Sequence, residues 1–117
     1  MSSSTRAAKF EYDRVYTEEA ELLQKVVAWL ELQRRDNVKV LRICDRYAKG
    51  YADLFICVNG VFVCAELKDD EGVPSIHQEQ FLQEMTEAGA ICGVCRTLRE
   101  VANLVEAAKR RHTDGCR

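Results

Sequence analysis

The sequence predicts an α/β fold: a mixed central sheet with helices on both faces, in the order α-β-β-β-α-β-α. Three observations support this prediction. Two apolar runs rich in β-forming residues flank Asn59-Gly60, a pattern typical of a hairpin. Apolar residues recur at helical spacing in three other segments. A fourth β-rich run, residues 90–95, follows one of these helices at a spacing that favours a parallel crossover.

The first helix is predicted to begin with Thr17 as its cap and to run to about Gln33. Its apolar stripe consists of Leu22, Leu23, Val26, Val27 and Leu30. Residues 38–43 form the first predicted strand. Its alternation places Val38 and Val40 on one face of the sheet, and Lys39 and Leu41 on the other.

The predicted hairpin joins residues 54–58 to residues 61–67. If residues equidistant from the turn pair, Asp53 lies opposite Glu66. Lys68 follows Glu66 by two positions and therefore points to the same face of the sheet. The hairpin thus brings two carboxylates and an ammonium group together beside a buried sheet.

The second half of the chain carries two capping boxes. Ser75 and Gln78 form the first, at the start of a helix that runs to about Ala88, ends at Gly89, and turns inward Ile76, Phe81, Leu82 and Met85. Thr97 and Glu100 form the second, ahead of a final helix whose apolar face is Leu98, Val101, Leu104, Val105 and Ala108.

Composition fits one compact domain spanning residues 1–117, with residues 1–16 as a lead-in. Hydrophobic residues make up 47% and charged residues 31% of the chain, which favours a folded core over disorder. No apolar run approaches the roughly 20 residues that span a bilayer, and no secretory signal follows Met1, so we expect a cytoplasmic protein.

The formal net charge of −2 is a count against a nucleic-acid-binding protein, so contacts with nucleic acid would need local basic patches. Six cysteines are present, but Cys92 and Cys95 should face opposite sides of a strand, which is poor geometry for a shared metal. We interpret most of the cysteines, Cys57 and Cys64 among them, as small buried hydrophobic residues in a reducing compartment.

The charged cluster at the open end of the hairpin is the strongest candidate site. Burying Asp53 and Glu66 side by side costs several kcal/mol unless the charges are paired or hold a metal ion. Hard oxygen ligands suit Mg²⁺ or Mn²⁺, and with Lys68 nearby the set is typical of metal-dependent phosphodiester hydrolysis. The alternative is that Asp53 begins a strand, and that Glu66 and Lys68 are solvated neighbours on an edge.

Three glutamates near the start of the first helix are further candidates. At about 100° per residue, Glu19 falls within the apolar stripe, whereas Glu18 lies to one side and Glu21 roughly opposite. Glu19 could therefore share a metal with Asp53 and Glu66. It could equally be a solvated residue in the first turn, favoured by the helix dipole.

Three polar residues have weaker indications of function. Arg46 and Lys49 lie shortly before Asp53 and are candidates for contact with phosphate, or plain surface charges. Gln78 lies near the start of the second helix, where the capping box gives it a structural role.

The chain from Glu19 to the final helix resembles the PD-(D/E)xK nuclease superfamily and, within it, the virus-type replication-repair nuclease family, VRR-NUC. Four parts carry the resemblance: a glutamate in the first helix, Gly-Tyr-Ala-Asp53-Leu, Glu66-Leu67-Lys68, and Gly72 followed by Gln78. Ala52 stands where the superfamily often has proline.

The resemblance implies a restriction-endonuclease-like core and a role for each matched residue. Glu19, Asp53 and Glu66 would bind Mg²⁺ or Mn²⁺ together with the backbone carbonyl of Leu67. Lys68 would orient the attacking water, and Gln78 would help to position the site.

The resemblance also implies a homodimeric endonuclease that cuts Holliday junctions or other branched DNA, as in DNA repair, within a bacterial or phage-infected cell. Two alternatives stay open at this point: a non-catalytic nucleic-acid-binding or regulatory module on the same fold, and an RNA nuclease.

Overall fold

The computed structural model of the protein describes residues 10–42 and 53–115. The elements run in the order α1 (Glu19–Leu32), β1 (Val38–Arg42), β2 (Leu54–Val58), β3 (Val61–Leu67), α2 (Ile76–Glu87), β4 (Ile91–Cys95) and α3 (Leu98–Gly115), with a short 3-10 turn at Gln33–Asp36. The predicted order of helices and strands is confirmed. Arg46, Lys49 and the end of the first predicted strand at Ile43 lie outside the described residues.

The four strands form one mixed sheet in the order β1-β2-β3-β4. The first three strands are antiparallel neighbours, and β4 pairs parallel to β3. Helices α1 and α3 pack together on one face, and α2 packs against β3 and β4 on the other. The predicted α/β architecture, with a mixed sheet and helices on both faces, is therefore confirmed. Because β3 and β4 run in the same direction, they end at the same edge of the sheet.

The hairpin between β2 and β3 turns through two residues with positive φ, Asn59 at 50° and Gly60 at 84°. This is the combination that matches the twist of two paired strands, and Asn-Gly is its preferred sequence. The turn sets the register, in which Val58 pairs with Val61 and Leu54 with Ala65. One further step along the same register places Asp53 beside Glu66, as predicted.

Most of the apolar interior lies between the sheet and the pair α1 and α3. Alternate residues of the hairpin point into this larger core, namely Leu54, Ile56, Val58, Val63, Ala65 and Leu67. A smaller cluster lies under α2 and consists of Cys64, Leu82 and Ala90, with partly buried neighbours that include Phe55, Phe81 and Met85. The two faces of the sheet therefore differ in how much apolar surface they bury.

Part of the α2 face of the sheet is uncovered, because α2 packs mainly against β3 and β4 and meets β2 through the contact of Phe81 with Phe55. On this open part, Leu41 is 61% exposed and Phe62 is 42% exposed. Cys57 is also exposed there, so the prediction that it is buried was wrong. Ile76, expected on the inner side of α2, is 76% exposed as well.

The four cysteines of the described residues are free thiols. Cys95 lies in the larger core and Cys92 packs against the smaller cluster, so the prediction that they face opposite sides of β4 is confirmed. Burial, aided by the neighbouring Cys92, raises the pKa of Cys64 to about 12. Burial likewise raises the pKa of Cys95 to about 12. These two thiols act as small apolar groups, as expected.

Helix α1 begins at Glu19 with Glu18 as its cap residue, and no side chain caps it. The predicted cap at Thr17 was therefore wrong. The cause is tertiary: Tyr16 is 3% exposed, and its carbonyl accepts a hydrogen bond from the Asp70 amide at 2.8 Å. This contact holds the backbone before α1, and the chain is still extended at Glu18. The helix therefore begins only at Glu19.

The other helix ends follow their sequence signals. Ser75 caps α2, and both hydrogen bonds of the Ser75–Gln78 capping box are present. Thr97 and Glu100 exchange the same pair of bonds at the start of α3, each at 3.2 Å. At the end of α2, Gly89 takes a φ of 110°, and the amides of Gly89 and Ala90 donate to Thr86 and Met85, which is a Schellman motif.

Helix α3 is the longest described helix, with 18 residues, and charged side chains lie outside its apolar face. Within residues 10–42 and 53–115, no helix combines the length and the apolar character needed to cross a membrane.

Replacing Gly89 with alanine should lower the free energy of unfolding by about 1–2 kcal/mol, because a Cβ disfavours the left-handed backbone. No heavy atom lies within 4 Å of the position that this Cβ would take, so a clash would not contribute. Urea unfolding followed by circular dichroism measures the loss. Glu84→Ala, at an exposed position of the same helix, is the control and should stay within about 0.5 kcal/mol of the parent. Equal stability of Gly89→Ala and the parent would contradict the prediction.

Candidate active site

The candidate site lies at the edge of the sheet where β2 begins and β3 ends. The Asp53 carboxylate accepts a hydrogen bond from the Leu67 amide through Oδ2 at 2.8 Å. This bond fixes the Asp53 side chain against the end of β3. Since Leu67 points into the larger core, its neighbours Glu66 and Lys68 point to the opposite face.

Glu66 is the only charged or polar residue among the buried side chains of the described ranges, with 0% exposure. Neither of its carboxylate oxygens has a hydrogen-bond partner in those ranges. The Lys68 ammonium lies 3.8 Å from Oε1, close enough for an ion pair and too far for a hydrogen bond. The Lys68 side chain is itself only 14% exposed. A buried carboxylate without hydrogen bonds is costly even beside a cation, so this position is unfavourable for the protein alone.

Burial is the main reason that the pKa of Glu66 is raised to about 9, and the neighbouring Asp53 carboxyl adds to the effect. Two ionised carboxylates cannot form a hydrogen bond with each other, whereas a protonated Glu66 can donate one to Asp53. Lys68 acts in the opposite direction but does not cancel the rise. Glu66 therefore holds a proton at neutral pH when no cation is bound.

Glu19 is half-buried, whereas Glu18 and Glu21 are exposed. Burial raises the pKa of Glu19, with a further contribution from Asp53, and Lys68 opposes the rise. The three glutamates thus differ in burial as the helical phase predicts. The pKa of Glu19 is affected by the charges of Asp53 and Lys68 at the candidate site.

The chemistry of these donors fits a hard divalent cation. Glu66 offers two buried oxygens without partners, and Asp53 and the half-buried Glu19 add further carboxylate oxygens nearby. Within the described residues, however, no group of three or more histidine, cysteine, aspartate or glutamate side chains is arranged so that it could hold a metal ion. The side chains thus stand near one another without forming a closed ligand set.

Gln78 stands in the capping box of α2, where its side-chain oxygen accepts the Ser75 amide at 2.9 Å. The structural interpretation of Gln78 is therefore confirmed, and its part in catalysis stays a prediction.

Two residues near the site were missed by sequence reasoning. Asp69 follows Lys68, and its Oδ1 accepts the amides of Glu71 and Gly72. Arg96 follows β4, and its Nη1 donates to the Asp69 carbonyl at 2.6 Å. The signals were available: Asp-x-x-Gly is a turn pattern, and a residue directly after β4 lies at the same edge as Lys68 once the strands are parallel.

The metal-free protein should lose stability as the pH rises. The pKa of Glu66 is about 9 in the folded protein against 4.5 as its ordinary value. The stabilising contribution of its proton is therefore complete below about 4.5 and is lost as the pH rises through about 9. Thermal unfolding in chelator across this range should show a falling midpoint for the wild type and a flatter profile for Glu66→Gln.

The control for this experiment is Glu71→Gln, which removes an exposed carboxyl group from the following turn. Its profile should fall with the wild-type slope. Parallel profiles for the wild type and Glu66→Gln would contradict the assignment of the slope to Glu66.

No protein-family model matches this chain, and no curated protein matches it. Among solved structures, the chain is similar to one described as "VRR_NUC domain", with a TM-score of 0.60 and 22% sequence identity. The likeness covers 75% of this chain and 94% of the other. The four-stranded sheet with helices on both faces is thus shared, and the likeness concerns the fold. The resemblance inferred from the motifs is supported at that level: the chain has the fold of a VRR_NUC domain.

Proposed function

We propose that the protein is a metal-dependent nuclease that hydrolyses phosphodiester bonds in DNA, with branched DNA such as a Holliday junction as its preferred substrate. The observation that carries the proposal is Glu66, which is fully buried, has no hydrogen-bond partner for its carboxylate among the described residues, and lies beside Asp53 and Lys68. The fold likeness to a "VRR_NUC domain" supports it independently.

In this proposal, Asp53, Glu66 and the Leu67 carbonyl hold Mg²⁺ or Mn²⁺, and Glu19 completes the carboxylate set from α1. Such an ion, when bound, supplies the Lewis acidity that makes water nucleophilic and offsets charge on the phosphate. The cation also explains why the chain keeps Glu66 in an apolar position. It replaces the proton that Glu66 otherwise holds, because a metal ligand must be deprotonated.

Lys68 acts on the reacting groups directly. Its ammonium group has three donors, and its only ion-pair contact within the described residues is the 3.8 Å approach to Glu66. We assign it to orienting the attacking water and to stabilising charge on the phosphate oxygens. The oxygen of the water bonds to phosphorus and the bond to the 3′ oxygen breaks, which leaves a 3′-hydroxyl and a 5′-phosphate.

The substrate must be recognised locally, because the chain as a whole carries a net charge of −2. Arg46 and Lys49, in the segment before Asp53, stay our candidates for contact with DNA phosphates. Gln78, at the start of α2, is a candidate for support of the site.

A homodimer is part of the same proposal. Matched cuts across a four-way junction require two sites related by a two-fold axis. The uncovered part of the sheet supports this, because exposed Leu41 and Phe62 lie on it, and the Phe62 ring contacts the Phe55 ring in a tilted arrangement with centroids 5.3 Å apart. A second copy could cover this apolar surface.

A second candidate function is a non-catalytic module that binds nucleic acid. It is favoured by one observation, the absence from the described residues of a preformed group of three metal-binding side chains. The expensive burial of Glu66 favours the nuclease, since a binding module gains nothing from it.

The decisive experiment incubates labelled four-way junction, flap, duplex and single-stranded DNA, and one RNA hairpin, with Mg²⁺, with Mn²⁺ or with chelator. We expect metal-dependent cutting of branched DNA and a loss of at least about a hundredfold in Asp53→Ala, Lys68→Ala and Glu19→Ala. Glu18→Ala is the matched control for Glu19→Ala, because the two residues are neighbours and Glu18 is exposed.

Tight binding without cutting, equal in the wild type and Lys68→Ala, would replace the nuclease by the binding module. Cutting of the RNA hairpin alone would change the substrate class. Inactivation by Glu18→Ala with Glu19→Ala active would show that the helical phase assignment is wrong.

Dimerisation is tested by sedimentation velocity. The wild type should sediment as a dimer, and Phe62→Glu with Leu41→Glu should give a monomer, because carboxylates without a partner are costly to bury on an apolar surface. Glu106→Lys, an exposed charge reversal on α3, is the control and should stay dimeric. A monomeric wild type at concentrations above those of the cleavage assay would contradict the dimer.

A further inference from the structure

The turn that follows Lys68 connects β3, the residue after β4 and the segment that leads into α1. We define this segment, residues 69–72, as the Asp69 turn. The Asp69 carboxylate closes it by accepting the Gly72 amide at 2.7 Å and the Glu71 amide at 3.1 Å. The Asp70 amide reaches out of it and donates to the Tyr16 carbonyl at 2.8 Å. One end of the turn thus continues from Lys68, and its middle is tied to the residue three positions before Glu19.

The Asp69 turn also packs along the side chain of Lys68. A Cβ at Gly72 would lie 3.4 Å from Cδ of Lys68 and 3.1 Å from Oδ1 of Asp69. The methylene stem of Lys68 is therefore confined by the backbone of the turn. A shift of the turn would move the stem and, with it, the ammonium group that approaches Glu66.

The end of β4 holds this turn through two consecutive residues. The Cys95 carbonyl accepts the Lys68 amide at 3.0 Å, which extends the parallel pairing of β3 and β4 by one step. The Arg96 guanidinium then donates through Nη1 to the Asp69 carbonyl at 2.6 Å in a partly buried position. A charged donor makes a stronger hydrogen bond than a neutral one.

We propose that Arg96 is a positioning residue for the active site: by holding the Asp69 carbonyl, it fixes the turn that places Lys68 against Glu66 and joins the start of α1 to β3. Its effect on cleavage rests on the proposed nuclease function, whereas its effect on the turn does not. Arg96 acts through the backbone of Asp69, so it is distinct from the residues assigned to the metal and to the water.

A direct contact between Arg96 and a DNA phosphate is the competing role. The two roles differ in what they do to kinetics. Loss of a positioning residue lowers kcat while KM changes little, because the substrate still binds but Lys68 is misplaced. Loss of a phosphate contact raises KM and leaves kcat close to the wild-type value.

The experiment compares wild type, Arg96→Ala, Arg96→Gln and Arg96→Lys in two independent measurements. Hydrogen exchange of the metal-free protein should show faster exchange at the Asp70 and Gly72 amides in Arg96→Ala, with the Lys variant in between because it keeps one donor. In cleavage of the four-way junction, Arg96→Ala should lose roughly tenfold to a hundredfold in kcat with KM within about threefold. Arg96→Lys should recover part of that loss.

Arg34→Ala is the matched control, because Arg34 is 69% exposed and lies in the turn after α1. It should match the wild type in both measurements. Should Arg96→Ala fail to fold, Arg96→Gln retains a neutral donor and gives the same comparison.

Three results would overturn the proposal. Unchanged exchange at Asp70 and Gly72 in Arg96→Ala would show that Arg96 does not hold the turn. A rise in KM at unchanged kcat would assign Arg96 to substrate contact. A turn that loosens while kcat and KM stay at wild-type values would show that its order is irrelevant to the reaction.

A wild type that cuts no substrate would disprove the proposed function instead. The role of Arg96 is then tested by the affinity of the protein for Mn²⁺ alone, measured by titration calorimetry. In that case, Mn²⁺ binding that is weaker in Arg96→Ala than in wild type, with rescue in Arg96→Lys, supports the positioning role. Equal Mn²⁺ affinity in all variants overturns it.

Discussion

The register of the β2–β3 hairpin is the constraint on which the rest of the molecule depends. Because the side chains of a strand alternate, a slip of one residue would exchange the two faces of β3. Leu67 would then leave the larger core, and Glu66 would enter it together with Lys68 but no longer opposite Asp53. The Asn59-Gly60 turn prevents this slip by joining the strands through two residues in the left-handed region. A local preference of two residues thus determines whether distant charges meet.

The site that results is unfavourable for the isolated protein, and that cost is informative. A carboxylate without exposure, and without a hydrogen-bond partner among residues 10–42 and 53–115, is not explained by stability, because leucine or methionine would fill the same space at lower cost. Proton uptake by Glu66 reduces the cost without removing the group's ability to bind a cation. The parallel pairing of β4 with β3 adds the second half of the arrangement, since it brings Cys95 and Arg96 to the edge at which Lys68 lies.

Signals confined to a few neighbouring residues were enough to predict much of this structure. The Asn59-Gly60 turn, the Ser75–Gln78 capping box and Gly89 each act over one turn of chain, and all three are found as expected. The pairing of Asp53 with Glu66 followed from the turn alone. Predictions failed where distant contacts decide: Thr17 does not cap α1 because Tyr16 is held by Asp70. Cys57 is exposed because the main contacts of α2 are with β3 and β4. Arg96 was overlooked because its partner is distant in sequence.

The unequal covering of the two faces of the sheet also affects which helix unfolds locally. Helix α2 has one buried residue, Leu82, and rests on a cluster far smaller than the core under α1 and α3. Local unfolding free energy follows the apolar contacts that an element makes, so we expect α2 to open more readily than α1 or α3. Transient release of α2 would expose Cys64 and Glu66 to solvent, while the strands of the β2–β3 hairpin stay paired. The site thus lies between a side with a large apolar core and a side with a small one.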